Sequence, residues 1–137
     1  MTTITPRRAR CHSSEDGQTA VEFALVLPIL AVLIFAIVEF GVTFHDYVTV
    51  TDASRVAARK AAVSRHLDDG GAAAEAAGEN AATSLDEDSL GVDCTAEDWE
   101  EPGSDVSCTV TYPYSIDVLG WVVANGTLTS ETTERLE

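Results

Sequence analysis

An apolar segment near the N-terminus, residues 23–38, constrains the fold of this chain more than any other feature. Its sixteen residues carry no charge. As an α-helix they would extend over about 24 Å, somewhat less than the roughly 30 Å hydrocarbon core of a bilayer. A helix over residues 20–42 would reach across, but it would carry Glu22 and Glu39 into the membrane. The segment predicts one membrane-crossing helix, which tolerates Pro28 because lipid-embedded helices accommodate such a defect.

The charges are distributed unevenly around this segment. The chain has 23 Asp and Glu against 8 Lys and Arg, a net charge of -15 at pH 7. Arginines at positions 7, 8 and 10 precede the segment, whereas nine acids crowd residues 86–105. A basic leader before an apolar helix favours a cytoplasmic N-terminus. The acidity argues against nucleic acid as a partner, because phosphate binding requires positive charge.

A basic leader before an apolar segment fits three kinds of protein. A removable secretory signal would need a small-residue cleavage site after the apolar run, but Glu39, Phe40 and Gly41 follow it. A plain single-pass anchor leaves Glu22 unexplained, since a carboxylate in hydrocarbon costs about 2.5 to 3.5 kcal/mol on insertion scales. The third interpretation explains why Gly17 and Glu22 occur at these positions.

The string Gly17-Gln18-Thr19-Ala20-Val21-Glu22-Phe23 resembles the processing motif of type IVb prepilins, in which a prepilin peptidase cuts after the glycine. The wider sequence GQTAVEFALVLPIL, followed by IVEFGVTF and TDASRVAARKAA, is similar to the TadE-like family of the tight-adherence (Flp) pilus. The resemblance covers residues 16–62 closely and the ending GTLTSETTERLE more loosely. It implies a minor pilin or pseudopilin of a type IVb pilus.

The resemblance also assigns roles to individual residues. It implies cleavage between Gly17 and Gln18, with Glu22 and Phe23 serving peptidase recognition and assembly. The new α-amino group of Gln18 would be largely positive at neutral pH, so Glu22 could pair with it or with the amine of a neighbouring subunit. Glu39 is expected at the hydrated headgroup level, with a contact to another pilus subunit as the alternative.

The implied partners are a prepilin peptidase, a companion minor pilin, the major Flp pilin and the inner-membrane assembly platform, besides membrane lipid. The implied location is the bacterial cell membrane, with a single pass and a cytoplasmic N-terminus. Incorporation into the extracellular pilus, at its tip or in its shaft, stays open. The alternative from another class is a permanently anchored envelope protein that presents an acidic domain and does not polymerise.

The fold class predicted for the whole chain is α+β, in three parts. Residues 1–17 form a basic leader that is removed, residues 18–67 a transmembrane and amphipathic spine helix, and residues 68–137 a small acidic extracytoplasmic domain. The spine is predicted to run over residues 19–65, because apolar residues recur at helical spacing beyond the membrane: Phe40, Phe44, Tyr47, Val48 and Val56. A second helix is predicted over residues 72–85, weakened by Gly78.

The C-terminal half changes to a period of two. Apolar residues alternate with small hydroxyl residues over 106–112, which predicts a half-buried strand with Cys108 on its inner face. Residues 92–95 are expected to pair with it, and the Asn125-Gly126 turn is expected to introduce a last strand over 127–135. This small antiparallel sheet would lie against the spine, with a core filled by Tyr114, Ile116, Val118, Leu119 and Trp121.

Cysteine placement predicts a disulfide between Cys94 and Cys108, because Cys11 lies in the leader and the pair lies beyond the membrane, where disulfides persist. No metal or cofactor site is predicted. His45 and His66 lie too far along the chain to complete a zinc site, and residues 86–88 lack the ligand spacing of an EF-hand. The sequence has no phosphate-binding glycine loop, nucleophile elbow or HExxH motif, so no enzymatic activity is expected.

Overall fold

The fold is built on one long helix. The computed structural model describes residues 15–64, 66, 69–118 and 120–137. Helix α1 (Glu15–Ala62) runs without interruption through Pro28 over 48 residues, a length of about 72 Å. The predicted continuous spine is confirmed, although it begins and ends a few residues earlier than predicted. The three arginines and Cys11 of the leader, and Arg65, lie outside the described residues.

The first half of α1 is apolar and uncovered. Its most apolar 18-residue window has a mean hydropathy of 2.9, and none of that window is buried. Large side chains from Val21 to Phe44 point into open space on every side of the helix. Among the described residues, α1 is the one helix that is long and apolar enough to cross a membrane.

Helix α2 (Gly70–Ala81) folds back antiparallel against the end of α1. A Cβ at Gly78 would lie only 3.0 Å from Cγ1 of Val92 and 3.1 Å from Cβ of Ala57. Gly78 therefore permits the close approach of α2 to α1, which offsets its low helix propensity. The helix ends before the predicted Leu85, because the chain turns at Ala82 and Leu85 donates its N–H to the carbonyl oxygen of Ala82 at 2.9 Å.

Three antiparallel strands form the sheet in the order β1-β2-β3. They are β1 (Gly91–Ala96), β2 (Asp105–Val118) and β3 (Trp121–Arg135). Val118 pairs with Trp121, so the β2–β3 hairpin turns between these two residues, and Gly120 has a φ of 83°. A positive φ at this position is typical of two-residue hairpin turns.

The predicted turn at Asn125-Gly126 is therefore wrong. Both residues lie inside β3, with Asn125 opposite Ser115 and Gly126 opposite Tyr114. The glycine has a packing role, because a Cβ there would lie 2.9 Å from Cε1 of the Tyr114 ring. Local turn chemistry is thus overridden by the pairing of two long strands.

The core lies between α1, α2 and the inner face of the sheet, in two adjoining clusters. One contains Cys94, Val106, Cys108 and Leu136 against alanines of both helices. The other joins Val110 of β2 to Val50 and Ala53 of α1 and to Ala82 and Leu85, which follow α2. The part of α1 that takes part, here named the packing face, consists of small residues and one valine: Val50, Ala53, Ser54, Ala57, Ala58 and Ala61.

Ser54 is a fully buried polar group at the centre of the packing face. Its hydroxyl donates to the carbonyl oxygen of Thr51 at 2.9 Å, and its oxygen lies 2.9 Å from the Thr132 hydroxyl and 3.2 Å from that of Ser130. These bonds join α1 to β3 and satisfy a group that would be costly to bury unpaired. No sequence motif marks Ser54, and its one signal is its helical spacing from Val50 and Ala57.

The apolar residues that recur at helical spacing beyond the membrane do not form the covered side of α1. The exposed fractions of Phe40, Phe44, Tyr47, Val48 and Val56 run from 42% to 66%. Close packing of a helix on a sheet selects the small residues instead. Trp121, predicted in the core, is 80% exposed, and Tyr114, Ile116 and Val118 are half-buried, because the hairpin continues past the packing face of α1. Leu119 lies outside the described residues.

Candidate processing and assembly site

The residues of the predicted processing motif lie on the first three turns of α1. Gly17, Gln18, Glu22 and Phe23 are all exposed. Apart from the helix's own backbone, no atom of the described residues lies within 4 Å of the position a Gly17 Cβ would take. The first residue of the packing face, Val50, is about 50 Å further along the helix. The acidic domain therefore leaves the peptide bond after Gly17 uncovered.

Glu22 has a partner one helical turn away. The side-chain amide of Gln18 donates to Oε1 of Glu22 at 3.2 Å, a contact between residues four apart on one face of α1. The backbone nitrogen of Gln18 lies on the same turn, about 6 Å along the axis from Glu22. That nitrogen belongs to a neutral peptide bond in the uncut chain, so an ionic pair with Glu22 requires cleavage.

Glu39 lies on the same helix at the far end of the apolar segment. Its side chain is half-buried, and its carbonyl oxygen accepts a hydrogen bond from the Thr43 hydroxyl at 3.1 Å. The axial distance from Glu22 to Glu39 is about 26 Å, close to the thickness of a bilayer's hydrocarbon core. The two carboxylates therefore bracket the apolar segment, and the headgroup position of Glu39 stays a prediction.

Cys94 and Cys108 form a disulfide in the acidic domain, with an S–S distance of 2.04 Å. They are directly opposite each other in the β1–β2 pairing, and both are buried in the core. The pairing of β1 with β2 is thus sufficient to bring the two sulfurs together. The predicted location of Cys108 on the inner face of its strand is confirmed.

Replacing both cysteines by serine is expected to lower the free energy of unfolding by about 3 kcal/mol, because the bridge restricts the unfolded chain. Urea unfolding of the full chain in detergent measures the change. Cys11→Ser is the matched control and should leave the unfolding curve unchanged. Thiol labelling that finds Cys94 and Cys108 free in protein from the native envelope would contradict the stabilising role.

The acidic run after α2 is organised by its own backbone. The carboxylate of Asp86 accepts hydrogen bonds from the N–H of Asp88 at 3.4 Å and from the hydroxyl of Ser89 at 3.2 Å, and so caps the 3-10 turn Glu87–Ser89. Within the part of the chain that the structure describes, no group of three or more His, Cys, Asp and Glu side chains is arranged to hold a metal ion. The loop carries its charge into solvent.

Comparison with known families adds one match. The family model described as TadE-like protein matches residues 17–59. The match begins at Gly17 and ends at Arg59 in the last turn of α1, and the acidic domain lies outside it. No curated protein and no solved structure matches the chain. By this match the N-terminal part of the chain, residues 17–59, is similar to the TadE-like family.

Proposed function

We propose that this chain is a minor pilin or pseudopilin that takes part in the assembly or initiation of a tight-adherence (Flp, type IVb) pilus. The observation that carries the proposal is the start of the family match at Gly17, the residue after which the motif requires a cut. That glycine is exposed on a helix that could cross a membrane. The chain acts as a structural subunit rather than as an enzyme.

Processing by a prepilin peptidase would change the electrostatics of α1. The cut turns the neutral backbone nitrogen of Gln18 into an amine that is largely positive at neutral pH. Glu22 lies one turn away on the same face and can pair with this amine or with that of a neighbouring subunit. Pairing offsets the cost of keeping the carboxylate near hydrocarbon, and a misplaced neighbour would leave both charges unpaired.

The shape of the chain suits assembly through helices. The acidic domain buries residues of α1 from Val50 onward and leaves the large side chains of the apolar half of the helix exposed. In a membrane that surface is covered by lipid, and it can exchange lipid for neighbouring helices at little hydrophobic cost. The partners in this proposal are a prepilin peptidase, a companion minor pilin, the major Flp pilin and the inner-membrane assembly platform, with the N-terminus of the precursor in the cytoplasm.

Deletion of the gene for this chain is expected to abolish pili or strongly reduce their number, while the major pilin is still made and processed. The reason is that an initiating or supporting subunit acts after synthesis of the major one. Electron microscopy of pili, with immunoblots of the major pilin, measures both quantities, and expression from a plasmid should restore pili. Normal piliation in the deletion strain would instead favour a permanently anchored envelope protein that presents an acidic domain.

A further inference from the structure

The β2–β3 hairpin is almost free of charge in a chain that is otherwise rich in acids. The 25 residues between Asp105 and Glu131 contain one charged side chain, Asp117. Asp117 is exposed on the outer face of the hairpin, where its carboxylate accepts a hydrogen bond from Ser115 at 3.4 Å. The neighbouring Ile116 and Val118 point to the other face, because successive side chains of a strand alternate.

The end of this hairpin, described at residues 114–118 and 120–126, is here named the hairpin tip. It is apolar and poorly covered: Trp121 is 80% exposed, Val122 60% and Val123 68%. Exposed hydrophobic patches of this kind mark contact surfaces. Asp117 is the one charged residue of the tip. A surface that is otherwise apolar is therefore expected to have an apolar partner.

The hairpin points along α1 toward the apolar segment. Cys108 packs in one core cluster with Ala57 and Ala61, whereas Val110 packs with Val50 and Ala53. Strand β2 therefore runs antiparallel to α1. From Val110 to Val118 it advances about 26 Å, as far as roughly 18 residues of helix. If the strands run parallel to the axis of α1, the tip is level with the last turns of the apolar segment. If the strands are inclined to that axis, the tip ends slightly before those turns.

The surface of α1 follows the same line. Four residues at alternating spacings of three and four, Ala36, Glu39, Thr43 and Asp46, are partly shielded, whereas almost all residues between them are exposed. The spacing continues to Val50 and Ala53 of the packing face. This is the side of the helix on which the sheet lies. The hairpin therefore extends along α1 beyond the core.

We propose that the hairpin tip rests in the interfacial layer of the membrane beside α1, with Trp121 as its anchor. An indole suits this layer, because it offers a large apolar ring and one hydrogen-bond donor. The acid-rich loop over residues 97–105 lies at the opposite end of β2, about 40 Å from the tip. The acids at positions 86–88 precede β1, whose Gly91 pairs with Thr111, about 23 Å from the end of β2 at the tip. Within the tip Asp117 is the one charged residue. The second attachment fixes how the acidic domain stands on the membrane, whether or not the chain joins a pilus.

Tryptophan fluorescence of the full chain in phosphatidylcholine vesicles tests this contact. Trp99→Phe leaves Trp121 as the single emitter, and Trp121→Phe leaves Trp99, which packs against the first core cluster far from the tip. Brominated lipids are expected to quench Trp121 strongly and Trp99 hardly at all, and aqueous iodide should quench Trp121 poorly. Chains inserted into the vesicle in either orientation report the contact, because the hairpin tip of each chain meets the membrane on the side where its acidic domain lies.

A variant with two acidic residues in the hairpin tip provides a second test. Val122→Glu combined with Val123→Asp should abolish quenching by lipid, and the circular dichroism and the disulfide should be retained because both side chains are exposed. Thr129→Glu is the control, an exposed position on the same strand nearer the core. Strong iodide quenching of Trp121 without lipid quenching would overturn the proposal. So would protection of Trp121 from iodide that is lost when the protein is diluted in lipid, since a second copy would then be what covers the tip.

Discussion

Leucine at position 17 is expected to leave the chain uncut. The peptidase must bind the backbone at the cleavage site with no side chain in the way, and a branched side chain would block it. The structure separates this effect from misfolding, because Gly17 lies in an exposed helical turn with open space around it. Leucine even favours the helix, by up to about 1 kcal/mol over glycine. The intact mass of protein from cells with and without the peptidase measures cleavage.

Gly41→Leu is the matched control for this experiment. Gly41 is also an exposed glycine of α1, with no described atom within 4 Å of its Cβ position beyond the helix backbone. The same substitution there should leave processing normal. Wild-type protein should have the mass of a chain that begins at Gln18. A mature form that retains residues 7–17, or a Gly17→Leu chain cut at the usual place, would show that the motif is not the processing site.

Glu22→Gln is expected to leave cleavage nearly normal and to prevent most pilus assembly. The amide has almost the shape of the carboxylate and can still accept a hydrogen bond from Gln18, so α1 should be unchanged. Removal of the charge should ease membrane insertion by up to a few kcal/mol. Loss of pili despite easier insertion would therefore point to the missing ion pair with an N-terminal amine. Pilus counts and the mature mass, measured on the same cells, separate the two steps.

Two further variants sharpen this test. Glu22→Asp keeps the charge but withdraws it by one methylene, so partial assembly is expected. Glu39→Gln makes the same chemical change at the other end of the apolar segment and should matter less, because a carboxylate at the headgroup level stays hydrated. Normal pili in Glu22→Gln cells would exclude a role for Glu22 in subunit docking and leave it, at most, to peptidase recognition.

The long helix and the strands could be predicted because their signals are local. Sixteen consecutive apolar residues and a stretch without helix breakers are enough to define α1. Strict alternation around Cys108 defines β2 and faces the cysteine inward. The Asn125-Gly126 pair misled because the turn signal is equally local, whereas the true turn depends on how far the two strands stay paired and on the Tyr114 ring above Gly126.

The side of α1 that the domain covers could not be predicted for a different reason. Periodicity identifies apolar stripes, but it does not say which stripe another element will cover. Phe40 and Phe44 form the more hydrophobic stripe, yet alanines and Ser54 allow the sheet to approach. The residues of the processing motif, in contrast, could be predicted. The sequence supplies the residues, and the structure adds that they are exposed, share a helix face and lie far from the domain.

Pro28 has a mechanical consequence. A pull along α1 is resisted by the hydrogen bonds between successive turns, which lie nearly parallel to the axis. Proline lacks the N–H that would bond to the carbonyl oxygen of Ala24, so the turn between them has one bond fewer than its neighbours. We expect a helix under tension to extend first at this turn, inside the apolar segment. The acidic domain, in which a disulfide joins β1 to β2, is then expected to keep its fold while the helix extends.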